Sequence, residues 1–370
     1  VRRASEADRD QVLGFASRTW HDWDYIPRAW PVWLRADDGA FLVGTVGEPG
    51  SADRLAGSVG LKGLVDAEGN ALAIGQTVAI TRVAMLSPDE AWLEGIRVDP
   101  RVRGMGVAAD LQVAELHWVA AQQARVLRYA TGASNEASHR LGARDGINLL
   151  VRFRAWWWSA TGTADEDDDE PSAFDEDVRE QATERRQAAL ARLRSAGLVV
   201  HADDERVADL WRLVDADPTF NAGERLYEPR PWALQELTEE MFRRHVERGE
   251  VIGGERAVAI LVGEQLPAED ASVRLALLTG DGGAAAELAD TMHRLTDEPM
   301  RFRVPADAPM IAGHQERFHD AGFVTPDWEL HILARSMDEG HPIPDADPAR
   351  VVLAEPPDRL IPPAWPAPGK

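Results

Sequence analysis

The stretch "EGIRVDPRVRGMGVAADL", Glu94 to Leu111, packs three glycines, one proline and three arginines between two apolar runs. The first run, Trp92 to Val98, is rich in β-formers, and the second has the Ala and Leu content of a helix. The turn therefore joins a strand to a helix. A strand that enters a helix through small residues leaves several backbone N–H groups converging at the helix N-terminus, where the dipole also favours an anion. That is a seat for a pyrophosphate. Side chains at Gly104 and Gly106 would block its approach, and Ala108 is the smallest residue that still supports a helix. Taken alone, the same R-x-x-G-x-G pattern equally describes a tight turn carrying a solvated arginine.

The chain has 370 residues, 44% of them hydrophobic, which is more than one ordinary core holds and suits two domains. No apolar run approaches the roughly 20 residues that span a bilayer, and "VRRASEADRD" has no apolar export segment, so a cytoplasmic protein without membrane contact is expected. Cysteine is absent, which removes disulfides and thiolate nucleophiles. The net charge is −23, and only Lys62 and Lys370 of the 40 basic residues are lysines. Acid excess with almost no lysine fits a halophile, whose proteins keep a hydrated, charged surface in concentrated salt. Such a chain repels phosphate backbones, so no nucleic-acid partner is expected.

The segment Gly162 to Val178 carries nine carboxylates and almost no apolar residues, as a solvated linker does. The expected organisation is a first domain over 1–160, an acidic linker over 161–179, a second domain over 180–340 and a Pro-rich tail over 341–370. Within the first domain the pattern reads β-α-loop-β-β-β-α-β-α-β, a mixed α/β layer structure. Its first helix opens with Ser5 and Asp8 at capping-box spacing. After the linker, "VREQATERRQAALARLRSAG" reads as a helix stopped by Gly197, and the second half repeats the strand–helix rhythm loosely.

The run "VDPRVRGMGVAADL" resembles motif A of the GCN5-related N-acetyltransferase (GNAT) family, with its R/Q-x-x-G-x-G/A signature after a strand ending V-x-P. Two registers fit, Arg101-x-x-Gly104-x-Gly106 and Arg103-x-x-Gly106-x-Ala108. The family's spacing from the proline, here Pro100, selects the second. A further match is "NEASHRLGARDGI", which keeps the spacing of the family's second motif through Asn135, Ser138, Leu141, Gly146 and Ile147. Gly142 stands where many members carry a tyrosine that protonates the leaving thiolate.

The resemblance implies an acyl-CoA N-acyltransferase fold, two such domains in tandem with the second degenerate, and acetyl-CoA as co-substrate with no metal. Ile96, Val98, Arg103, Gly104, Met105, Gly106, Ala108 and Asn135 would hold the coenzyme. A backbone N–H near Ile96, where the family's central strands splay apart, would receive the oxyanion. The implied reaction is direct attack of a neutral amine on the thioester, with Glu94 as the base; the other reading of Glu94 is a solvated edge carboxylate or one that binds a cationic substrate. On a regular strand Glu94, Ile96 and Val98 share one face.

The aromatic stretch "WHDWDYIPRAWPVWL" lies where family members build the acceptor wall. Trp23, Tyr25, Trp30 and Trp33 would line an amine pocket, with Asp22 or Asp24 pairing an ammonium group, or would pack a short helix onto the sheet. His139 is either a surface histidine or the missing acid. "WWW" at 156–158 suits a core or domain interface, and His314, His319 and His341 lack metal-ligand spacing. In the second half Ile311 replaces the asparagine, and no arginine precedes Gly280, Gly282 and Gly283. The resulting expectation is an N-acetyltransferase acting on a primary amine of a small molecule, amino acid or peptide, with room for a homodimer. The alternative is a non-catalytic acyl-CoA sensor or scaffold.

Overall fold

Strands whose residues are buried on both faces need cover on both sides, and the central strands here are of that kind. The computed structural model describes residues 1–17, 24–47, 72–159, 176–201, 205–262, 273–298, 300–338 and 342–345. The chain divides into two compact units: Val1–Tyr129 with Glu136–Asn148 and Leu333–Lys370, and Ala130–Asn135 with Leu149–Ile332. The division after Asn148 falls at the start of a strand. The acidic segment lies outside the described residues up to residue 175, and of the tail only 342–345 is described.

In the first unit Ser5 donates from its backbone N–H and its hydroxyl to Asp8, each at 2.9 Å. That box opens a 3-10 turn and α1 (Arg9–Ala16). Helix α2 (Ile26–Arg35) runs on through Pro31. The strands follow as β1 (Arg2–Arg3), β2 (Gly39–Thr45), β3 (Thr77–Ser87), β4 (Glu90–Val98) and β5 (Val126–Gly132), with neighbours hydrogen-bonded in that order. The first four pair antiparallel, whereas β4 and β5 are parallel. One face of this sheet packs on α1 and α2 through Val12, Trp30, Trp33, Phe41 and Ile80. The other packs on α3 (Val107–Ala121) through Leu42, Val83, Leu93, Leu116 and Val119. Helix α4 (Glu136–Arg144) then leads to β6 (Asn148–Trp158).

The second unit has its own core. Helix α5 (Glu176–Ser195) contributes Ala189, Leu190 and Leu193 to it. Short helices α6 (Val207–Ala216) and α7 (Pro218–Ala222) lead to a separate hairpin, β7 (Leu226–Arg230) with β8 (Ala233–Glu236), and then to α8 (Glu239–Glu247). The main sheet of this unit runs β6, β12 (Met300–Pro305), β11 (Val273–Gly280), β10 (Ala257–Val262), β9 (Val251–Gly254), with α9 (Gly282–Thr296) between β11 and β12. Helix α10 (Gln315–Asp320) and β13 (Phe323–Val324) follow, and β13 also pairs with β6. Trp156 of β6 is buried beside Phe318, and Trp158 stacks on His293 at 4.0 Å, so two of the three consecutive tryptophans are packing residues of this unit. The last strand, β14 (Leu330–Ser336), has residues in both units.

Candidate active site

Strand β4 carries a glycine-type bulge that breaks its alternation. Arg82 of β3 pairs with Glu94, but two residues away Ile80 pairs with Arg97, so Gly95 and Ile96 together oppose Thr81. Gly95 has φ +73°, which a side chain would strain, and a Cβ there would lie 2.3 Å from the Trp33 ring. The extra residue re-aims the strand. Glu94 and Arg97 therefore share a face with Trp92, while Val98 turns to the opposite face with Leu93. This corrects the expectation that Glu94, Ile96 and Val98 share one face, because a period of two holds only for an unbulged strand. Beyond Trp92 and Arg128 the parallel pairing of β4 with β5 also ends.

On the re-aimed face lie three ion pairs, built on two arginines, that the sequence reading missed. Arg82, 3% exposed, donates to Glu94 Oε1 through Nη1 and to Asp38 Oδ1 through Nη2. Arg97 holds Asp24 through Nε at 2.6 Å and Nη2 at 3.3 Å, and its Nη1 donates to the Ile96 carbonyl at 3.0 Å. The Arg97 guanidinium lies 5.1 Å from the Tyr25 ring centre and that of Arg82 lies 5.6 Å from Trp33. Burial pushes the Tyr25 phenol up to about 12, with the charges of Glu94 and Asp24 adding to the rise and Arg97 opposing it. Trp30 and Trp33 are core residues at 0% and 3% exposure. Trp23 and Asp22 lie outside the described residues. One signal was available in advance: an arginine in the middle of the apolar run "VAITRVAM" needs a buried carboxylate.

The glycine turn lies at the other end of β4. Asp99 accepts from the Arg101 backbone at 2.9 Å and grips the Arg101 guanidinium. Burial opposes the Asp99 charge, yet Arg101 holds the carboxyl below its ordinary value. Arg103 is exposed, with Nε donating to the Val98 carbonyl at 3.2 Å. Gly104 and Gly106 have φ of +78° and +85°, a left-handed backbone natural to glycine. Gly106 is the N-cap of α3 and makes no side-chain cap, so the first N–H groups of the helix have no capping side chain there. A Cβ at Gly104 would meet nothing within 4 Å. Met105 is partly buried against the cluster of Val46, Leu72, Val78 and Val102, and Asn135 directly precedes α4. An open, uncapped helix start beside an exposed arginine fits a pyrophosphate.

The profile of the acetyltransferase (GNAT) family matches residues 8–146. The chain carries a GNAT domain. The family transfers acetyl groups from acetyl-CoA. No curated protein sequence matches the chain. Among solved structures, a putative acetyltransferase from Thermoplasma acidophilum is 15% identical over 90% of this chain and 98% of its own, with TM-score 0.47. A GCN5-related N-acetyltransferase from Kribbella flavida is 12% identical over 91% and 71%, with TM-score 0.40. The ribosomal-protein-S18-alanine N-acetyltransferase from Escherichia coli is 15% identical over 40% and 77%, with TM-score 0.30.

The GNAT domain explains its own departure at Gly142. A Cβ at that position would lie 2.3 Å from the Tyr129 hydroxyl and 2.9 Å from the Ile147 carbonyl. Tyr129 of β5 fills the space from the sheet side, donating to the Ser138 carbonyl at 2.8 Å. Burial pushes that phenol up to about 12, so it stays protonated. His139 is partly exposed on α4. Outside the GNAT domain, α9 starts differently. Asp281 caps it by accepting from the Ala284 N–H at 3.0 Å, and a Cβ at Gly282 would lie 2.2 Å from the Met310 carbonyl and 2.5 Å from His314. The chain itself occupies the start of that helix. Among the described residues no helix is long and apolar enough to cross a membrane, and no group of three or more His, Asp or Glu is disposed to hold a metal ion.

Proposed function

We propose that the chain is an acetyl-CoA-dependent N-acetyltransferase in which a neutral primary amine of a small molecule, amino acid or peptide attacks the thioester directly. The observation that carries this reading is that one strand, β4, holds a carboxylate at its bulge and ends in an open helix N-terminus. Glu94 keeps one oxygen on Arg82, and its side chain is 16% exposed, so the second oxygen can take the amine proton. Arg103, Gly104, Met105, Gly106, Ala108 and Asn135 bind the coenzyme, with Arg103 rather than Arg101 as the phosphate ligand because Asp99 already neutralises Arg101. Ile96 and Val98 supply backbone groups along β4. Tyr25 faces the acceptor, and Trp33 backs it from the core. Acetyl-CoA supplies the activated carbonyl. The second unit is a degenerate domain of the same type that takes no coenzyme, a reading supported by the blocked start of α9.

A second reading, a non-catalytic acyl-CoA sensor, is favoured by the occupied space at Gly142, which leaves no room for the usual acid. Turnover separates the two. Incubation with acetyl-CoA, a mixed amine pool and a thiol reagent in high salt releases CoA only if the chain is an enzyme. In the enzyme, Glu94→Gln lowers kcat by about a hundredfold with CoA affinity unchanged. A loss confined to the amine KM would make Glu94 a substrate ligand instead. Gly106→Val weakens CoA binding at least about tenfold, or roughly 1.4 kcal/mol, by calorimetry; unchanged affinity would remove the pyrophosphate assignment.

A further inference from the structure

We infer that Arg82 is the positioning residue of this site, a guanidinium clamp that fixes the Glu94 carboxylate at the bulge. The inference rests on the reading of Glu94 as proton acceptor. Arg82 lies mid-strand among buried Ile80, Val83 and Ala84, where an unpaired cation would be strongly destabilising. Its two terminal nitrogens are divided between carboxylates from different elements, Asp38 before β2 and Glu94 on β4, while Trp33 of α2 lies 5.6 Å from its central carbon. Only a planar fork reaches two carboxylates in fixed directions; a lysine ammonium is a point charge on a flexible stem.

Glu94 needs such a clamp more than an ordinary strand residue does. The next residue, Gly95, has φ +73°, and β4 has already lost β5 as a partner beyond Trp92. A side chain on a bulged strand with one open edge is poorly fixed by its backbone, yet proton transfer requires placement within about 0.5 Å. Arg82 supplies that constraint from beneath, at 3% side-chain exposure, while Glu94 reaches the surface at 16%. The carboxylate is thus held at one oxygen and open at the other. Asp38 acts one step further out, keeping the guanidinium from swinging away.

A double-mutant cycle tests the clamp. Arg82→Lys keeps the charge and loses the fork, so kcat falls about tenfold or more while calorimetric CoA affinity stays within about twofold. In a Glu94→Gln background the same substitution costs less than about twofold in kcat, because there is no longer a base to position. Equal losses in both backgrounds, with Glu94→Gln itself defective, overturn the clamp and leave the base reading standing. Full kcat in Glu94→Gln overturns the base reading and the clamp with it. If Arg82→Lys does not fold, Asp38→Asn runs the same cycle: it leaves the Arg82–Glu94 pair and removes the outer anchor, and its kcat loss must also vanish in the Glu94→Gln background.

Discussion

Gly142 and Tyr129 form a pair in which one residue is small because the other is large. The hydroxyl of Tyr129 lies where the first carbon of any side chain at 142 would go. Gly142→Ala should therefore destabilise the first unit by about 1–3 kcal/mol, the usual scale for overpacking a filled core. Tyr129→Phe frees the contested volume, so the double variant should recover part of the loss in urea unfolding; additive destabilisation would show that the two do not compete for space. At this scale the sequence displayed the departure from the family pattern but not its cause, since Tyr129 and Gly142 are brought together only by the packing of α4 on β5. The role proposed for Arg103 rests on its distance to Pro100, whereas the Arg82–Glu94 pair depends on strand register, which no local pattern encodes.

The strand–turn–helix from β4 to α3 was legible because each part has its own signal: β-formers, then glycines, then an Ala- and Leu-rich run. The bulge was not, because Gly95 inside a strand pattern marks a possible bulge without fixing which residue is extra. The hairpin β7–β8 and strand β14 also escaped, being short and defined by distant partners. Helix α3 carries a further consequence. Glu115 is buried against β3, where it accepts from the Thr81 hydroxyl, and burial pushes its carboxyl up to about 8 from an ordinary 4.5. Between those values the folded chain keeps a proton that the unfolded chain releases, so its contribution to stability is full below pH 4.5 and is lost as pH rises through 8. Glu115→Gln cannot lose that proton. The variant should gain on the parent in thermal midpoint between pH 5 and pH 9, and a constant difference would contradict the buried acid. The two helices that follow parallel-pairing strands also differ in their starts, open at α3 and capped by Asp281 at α9. Titration calorimetry should give one CoA per chain, and a stoichiometry near two would restore the second unit as a binding domain.

For the whole molecule, a net charge of −23 means that self-repulsion opposes compaction until salt screens it. The unfolding midpoint should climb steeply from dilute buffer to molar KCl; equal stability in both would contradict the halophile reading of the composition. Composition was enough to anticipate more than one compact unit, but not where the units divide, because β6 precedes the acidic segment in the chain and is completed beyond it. Phe153–Trp157 pairs with Arg301–Pro305, and β13 adds a second partner at Trp157 and Trp158. On a ribosome this strand emerges long before either neighbour exists. Its tryptophans stay uncovered and its edge unpaired until the second unit has been synthesised, which makes this strand the point where a stalled or truncated chain would associate with another copy.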